Sequence, residues 1–412
     1  MSSLARRHPI IAGVVTAFVL VALVAVLVRR QRHPSAVRRG ASAPLTSLST
    51  VPYVESEVRD QDIAFFTRRT VEDTASATDR FALAGLLFTR SRQTGSVADL
   101  ARAEALARES IAERTNRNSQ AFELLASVLM ARHEFAEARE TAARADALDP
   151  ENPSLIALLG EIELELGQYA AAAAHFNAVH IDRGQFTTGA RLARWYEVTG
   201  HIDIARWFLK QAIAKVDRRD DLPREQVAWF HYRLGELELR AGNAAAAETA
   251  FTSGLNRHPE DFRVLGGLAR AALARGHWQQ AVDFGERGIA IQLDPATLGT
   301  VSRAYAALGD TAQSASYARA MSVSALRQPG VIHRAWGQFL LDYGTASERA
   351  TVLARARREL RSRKDVYGHD LVAWALYRNG RLEEAKREMT LALAQQTEDV
   401  MLARHGREIG AP

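Results

Sequence analysis

Residues 119–152 read SQAFELLASVLMARHEFAEARETAARADALDPEN, and residues 153–180 continue PSLIALLGEIELELGQYAAAAAHFNAVH. Both stretches follow one plan. Large apolar residues recur at helical spacing (Leu125 and Leu129, then Leu159 and Phe176), and a small residue, Ala126 or Gly160, sits midway along the first half. A turn residue follows seven positions later (His133, Gly167), and an alanine five beyond that (Ala138, Ala172). Apolar residues at three- and four-residue steps signal amphipathic helices. The plan is therefore a helix hairpin. The small residue lets the second helix come close, the alanine completes the contact, and glycine takes the positive φ of the turn.

The same glycine returns as Gly200, Gly242, Gly276, Gly309, Gly344 and Gly380, in steps of 33 to 36 residues with one of 42. Small residues precede these by seven positions (Ala193, Gly235, Ala269, Ser302, Gly337, Ala373), and alanine usually follows by five (Ala205, Ala247, Ala281, Ala385). Ser314 and Arg349 depart from the alanine rule, and Arg349 predicts a loosely packed hairpin. The 42-residue step places an insertion, DRRDDLP at 217–223, as a protruding solvated loop. Several units close on proline, at Pro150, Pro259 and Pro295. That makes eight clear copies. A single copy cannot bury its own apolar face, so the copies must stack into a superhelix in which each touches its neighbours, and unfolding is expected to be broad.

These residues resemble the tetratricopeptide repeat (TPR) family, with the copies from Ser119, Pro153 and Ala228 the best matches. The resemblance implies an all-α superhelix of helical hairpins over 119–396, about eight repeats, preceded by N-terminal helices and a degenerate repeat in 55–118 and closed by a capping helix in 397–412. It also implies that the first helix of each hairpin lines a concave groove. Carried over residue by residue, that groove holds Arg194, Arg270, Arg303 and Arg334 along its middle, Trp229 and Tyr232 at its centre, and Tyr367, Trp374 and Tyr377 near the C-terminal end. Arginine and aromatic residues are enriched where binding energy concentrates, so the expected partner is a protein or peptide, and an anionic one. The family's Lys/Asn carboxylate clamp is missing, so capture of chaperone tails is not implied. The arrangement further resembles membrane-anchored bacterial repeat proteins that organise envelope biogenesis.

Residues 9–28, PIIAGVVTAFVLVALVAVLV, form a charge-free run that would span roughly 30 Å as a helix, one bilayer core. Arg29 and Arg30 follow it directly, which favours an uncleaved anchor over a signal peptide. A short tail (1–8) precedes the anchor, and a basic, flexible linker (29–54) follows it. Five arginines flank its C-terminal side against Arg6 and Arg7 on the other, so the repeats are expected on the cytoplasmic side of the plasma membrane. The alternative is a periplasmic or extracytoplasmic module that captures a peptide or glycan.

Residues 1–54 hold seven arginines and no acid, so they contribute +7 to a net charge of +5 and leave the remainder at −2. The basic excess therefore lies at the membrane flank, not on the folded part, and nucleic-acid binding is not expected. With no cysteine in the chain, disulfides, thiolate metal sites and cysteine nucleophiles are excluded. The 12 histidines are scattered, His133, His201, His277 and His369 beside turns, and no catalytic or phosphate-binding motif occurs. No enzyme, cofactor, metal or small-molecule substrate is expected. Glu161, Glu163 and Glu165 alternate along one helix and are expected to be solvated or paired within it.

Overall fold

The computed structural model describes residues 54–179, 186–327 and 333–411. The tail, the apolar run at 9–28 and all of the linker but Val54 lie outside these residues. Among the described residues there are twenty helices and no strand, and no helix is long and apolar enough to cross a membrane.

Among the described residues the first helix is α1 (Glu55–Glu72), and nine hairpins follow. They pair α2 (Ala77–Thr94) with α3 (Val97–Glu113), α4 (Ser119–Ala131) with α5 (Phe135–Leu148), and α6 (Pro153–Glu165) with α7 (Tyr169–Ala178). Next come α8 (Phe186–Val198) with α9 (Ile202–Val216), α10 (Arg224–Arg240) with α11 (Ala244–Arg257), and α12 (Phe262–Ala274) with α13 (Trp278–Ile291). The last three pair α14 (Pro295–Leu308) with α15 (Thr311–Arg327), α16 (Arg334–Tyr343) with α17 (Ala346–Glu359), and α18 (Val366–Arg378) with α19 (Leu382–Leu393); α20 (Val400–Ile409) ends the array.

The turn residue behaves as the spacing predicts. Six of the recurring glycines, Gly167 to Gly309 and Gly380, have φ between 73° and 85°, and His133 adopts φ 62° in the same place. Gly344 does not. It is extended at φ −80°, because Thr345 and Glu348 form a reciprocal capping box at the start of α17, and Arg349 Nη1 donates to the Gly344 carbonyl at 2.8 Å. The helix contact is equally direct. A Cβ on Gly160 would meet the Phe176 ring at 2.9 Å, and one on Gly235 would run into the Phe251 ring, while Ala172 and Ala247 are fully buried. The small residue on the first helix is thus the socket for a phenylalanine on the second.

The insertion at 217–223 is exposed for most of its length, yet it is tied down at its root. Asp217 Oδ1 pairs with His231 Nε2 at 3.0 Å and with Arg257 Nη2 at 3.2 Å.

The expectation that each hairpin touches only its neighbours is corrected by contacts of long reach. The α2–α3 turn meets the loop before α14, where a Cβ on Gly95 would stand 2.8 Å from the Gln292 side chain. The His133 ring, at the α4–α5 turn, stacks edge-on against His333 before α16 at 5.0 Å. Gly167 lies against the Lys364 carbonyl before α18, and Gly200 against the Gln396 carbonyl before α20. Val366 N donates to Tyr169 Oη at 2.8 Å, 197 residues away in sequence, and Thr397 Oγ1 donates to the Val198 carbonyl, 199 away. These contacts join a hairpin to the sixth after it, and at Gly200 and Val198 to the loop before α20, which stands where the next hairpin would begin. The superhelix therefore completes a turn in about six hairpins, and its second turn rests on the first. At Gly167 and Gly200 glycine is needed twice, for the left-handed backbone and for the close approach.

The acidic strip on α6 is corrected in the same way. Glu163 is fully buried, and it pairs with Arg139 at 3.1 Å and His175 at 2.7 Å, on the helices that flank it. Glu161 pairs with Arg191 on α8 at 2.9 Å, and Glu165 with Arg363 at 2.8 Å. None of these partners lies on α6.

Candidate binding surface on the inner face

The first helices of successive hairpins pack on one another, α6 on α8, α10 on α12 and α16 on α18 among them. They form the inner wall of the superhelix. That wall lines an open cavity of about 630 Å³, to which both turns contribute. Arg194, Arg270, Arg303, Arg334 and Tyr367 all line it. The other four expected groove residues do not. Trp374 is 1% exposed, stacks on His405 at 4.1 Å and donates from Nε1 to Asp342 Oδ1 at 2.8 Å. Tyr377 stacks on Trp374 at 5.2 Å. Trp229 packs into the α8–α9 core, and Tyr232 tilts against Phe251 at 5.9 Å. Helical register explains the division. Each of these four rings points between helices, where burying its area outweighs leaving it in the groove.

Charge on the wall is organised as a ladder. Starting from Arg363, the pairs run to Glu165 (2.8 Å), Arg194 (3.6 Å), Glu197 (3.3 Å), Arg240, then Glu236 (3.4 Å) and Arg270 (2.6 Å). It crosses α6, α8, α10 and α12. On the second turn, Arg334 bridges Asp370 at 2.8 Å and Asp399 at 3.1 Å. Three of the four groove arginines are therefore bound within the protein.

Burial alone would push Glu197 up. The guanidinia of Arg240, Arg194 and Arg233 outweigh burial and hold its carboxyl at about 2. Glu236 and Asp370 are lowered in the same contest between burial and neighbouring arginines. Burial also opposes the charge on Arg270 and Arg334, and their carboxylates raise both well above the usual range. His333 goes the other way. Burial, with His133 beside it, lowers its ring to about 4, so at neutral pH it is uncharged.

Arg303 is different. It is exposed, it has no carboxylate partner among the described residues, and its guanidinium stands 5.9 Å from the centre of the Tyr343 ring. Tyr343 is itself 58% exposed. Tyr367 is 5% exposed, with the guanidinia of Arg334 and Arg194 over its ring at 4.6 and 5.0 Å. Its hydroxyl has no hydrogen-bond partner among the described residues.

The ladder's acids, with Arg240, Arg363, His333 and Gln338, escape the groove frame. One signal was available for part of it: Glu236 and Arg270 stand one repeat length apart, and Arg194 and Glu197 three residues apart on one helix face. Arg363 lies in a loop, and nothing in a repeat frame points it inward.

No curated protein matches the chain. The tetratricopeptide repeat model matches residues 124–186 and 232–296. Among solved structures, the APC/C hetero-tetramer Cut9–Hcn1 is similar at 16% identity with a TM-score of 0.52, over 86% of this chain and 59% of that one. The chain thus spans about three-fifths of the length of that relative. PilW, a type IV pilus biogenesis factor, is similar at 17% identity with a TM-score of 0.43, over 52% of this chain and 96% of that one. At these identities the likeness concerns the fold. Residues 124–186 and 232–296 are tetratricopeptide repeats, set within an all-helical superhelix of hairpins.

Proposed function

We propose that this chain is a membrane-anchored scaffold that recruits protein partners on the inner face of its repeat superhelix, in a bacterial envelope setting and from the cytoplasmic side of the plasma membrane. The carrying observation is Arg303. On a wall where the other groove arginines are neutralised, this one stands exposed and without a carboxylate, beside the exposed ring of Tyr343. A partner's acidic side chain placed there would form a charge-assisted pair without breaking any internal one. The remaining groove arginines shape the wall and set its potential. The anchor is the apolar run at 9–28, and the arginines that follow it favour the cytoplasmic orientation.

Site-specific photo-crosslinking in cells tests the recruitment. A crosslinker at Tyr343 should trap a defined partner, Arg303→Glu should abolish that product, and a crosslinker at Trp207, which is exposed on α9, should not trap it. Trapping at Trp207 alone would move the partner surface to the outside. Protease added to spheroplasts should spare the repeats, and their digestion there would reverse the orientation.

A further inference from the structure

Four carboxylates line the cavity, and each is already engaged. Glu165 is held by Arg194 and Arg363, and Glu236 by Arg240 and Arg270. Asp342 is held by Trp374, Arg378 and Arg404, and Asp399 by Arg334 and by the amides of Met401 and Leu402 that it caps. Seven arginines line the same cavity. The buried wall atoms that carry no hydrogen bond can all donate one, among them the Tyr367 hydroxyl, Gln338 Nε2 and Arg363 Nε. Buried donors without acceptors are costly. Glu197, Asp370 and Asp365 behind the wall balance most of its arginines; what stays unmet are these donors and the exposed guanidinium of Arg303, which an acceptor-rich, negatively charged group would satisfy.

Size and position narrow the occupant. About 630 Å³ falls in the range of small-molecule sites, roughly 300–1,000 Å³. The wall is assembled from both superhelical turns, with His133, Arg194 and Arg240 from the first and Arg303, Arg334 and Tyr367 from the second. Planar guanidinium forks suit phosphate and carboxylate oxygens, which they can bind bidentately. We propose that the cavity binds a small, freely diffusing anion bearing at least two phosphate or carboxylate groups, and that this occupant ties the second superhelical turn to the first. The inference goes beyond partner recruitment and does not depend on it.

Calorimetric titration of the full-length chain with pyrophosphate and, separately, with citrate at constant ionic strength tests the site. Saturable one-to-one binding of at least one probe is expected. Arg303→Glu should weaken it tenfold or more, and Tyr367→Phe several-fold, while Arg358→Glu, an exposed charge change outside the cavity, should leave it unchanged. Arg303 is exposed and Tyr367→Phe removes only a hydroxyl, so both variants should fold. A preference for pyrophosphate or for citrate assigns the anionic group. Amide hydrogen exchange should slow on binding at residues 163–169 and 363–368, which meet between the turns. Absence of saturable binding by both probes, or equal weakening by Arg303→Glu and Arg358→Glu, overturns the site. Binding with unchanged exchange in both segments overturns the bridging. Anion binding that Arg303→Glu weakens as expected, in a chain from which the Tyr343 crosslinker traps no partner, would count against the recruitment reading alone.

Discussion

Arg363 and Glu165 meet at 2.8 Å across the junction between the two superhelical turns. Arg363 comes from the loop before α18 and Glu165 from the end of α6, and both are mostly shielded from solvent, at 16% and 13% side-chain exposure. Removing Arg363 leaves Glu165 only Arg194, at 3.6 Å, and takes the same partner from Asp365, and breaking a shielded pair in this way costs about 3–5 kcal/mol. Arg363→Ala should therefore lower stability by that order in guanidinium denaturation. Replacing both residues, as Glu165→Leu with Arg363→Met, should recover part of the loss. Equal stability of the wild type and Arg363→Ala would mean that the junction is not formed in solution.

Contacts six hairpins apart change how the array should melt. In an open solenoid each unit couples only to its neighbours, and unfolding spreads along the chain. Here the loops at Gly167 and Gly200 lock onto backbone carbonyls of the second turn. A single sharp calorimetric transition is expected for the wild type, and Gly167→Ala should split or broaden it. A transition equally broad in both would show that the turns do not couple.

Glycines in this chain fall into two energetic classes. A Cβ at Gly235 runs into the Phe251 ring, whereas one at Gly380 meets nothing within 4 Å and suffers only from its φ of 76°. Gly235→Leu should cost about 1–3 kcal/mol or more through overpacking. Gly380→Ala should cost about 1–2 kcal/mol, from backbone strain alone. Repacking around Phe251→Ala should rescue the first and leave the second untouched, as read by chemical denaturation of the double variants.

Acid should act in two stages. His333 titrates near 4 in the folded chain against an ordinary 6.5, so the unfolded chain takes up the proton first. Stability should fall as pH drops from 6.5 towards 4. Glu197 is held at about 2 against an ordinary 4.5, so its contribution is complete above 4.5 and is lost as pH falls towards 2. The urea midpoint measured against pH should show both declines. His333→Gln should flatten the upper one only, and an unchanged upper limb in that variant would remove His333 as its cause.

The hairpins were legible because their signals are local. The turn glycine, the small residue and the phenylalanine that fills its socket all lie within one 34-residue copy, and even His133 kept the glycine's conformation. The groove was only partly legible. Position in the first helix brings Arg194, Arg270, Arg303, Arg334 and Tyr367 to the wall of one cavity, but it does not separate a ring facing the groove from Trp374, which turns into the core. The ion ladder was hidden for another reason. Its closing member, Arg363, sits in a loop whose direction is set by the stacking of one superhelical turn on the next, and that stacking leaves no mark within a single repeat.

The six-hairpin register also fixes how many repeats this chain can carry. Open solenoids lengthen or shorten by whole units at little cost, since each added copy brings its own interfaces. Between Gly167 and Lys364 that freedom is lost. A hairpin duplicated or deleted among α10–α13 would shift Gly167, Gly200 and His133 onto the wrong loops together, breaking the junction at every point along its length. Copy number in the middle of the array is thus a structural constant, while growth remains open at the ends, beyond α1 and α20.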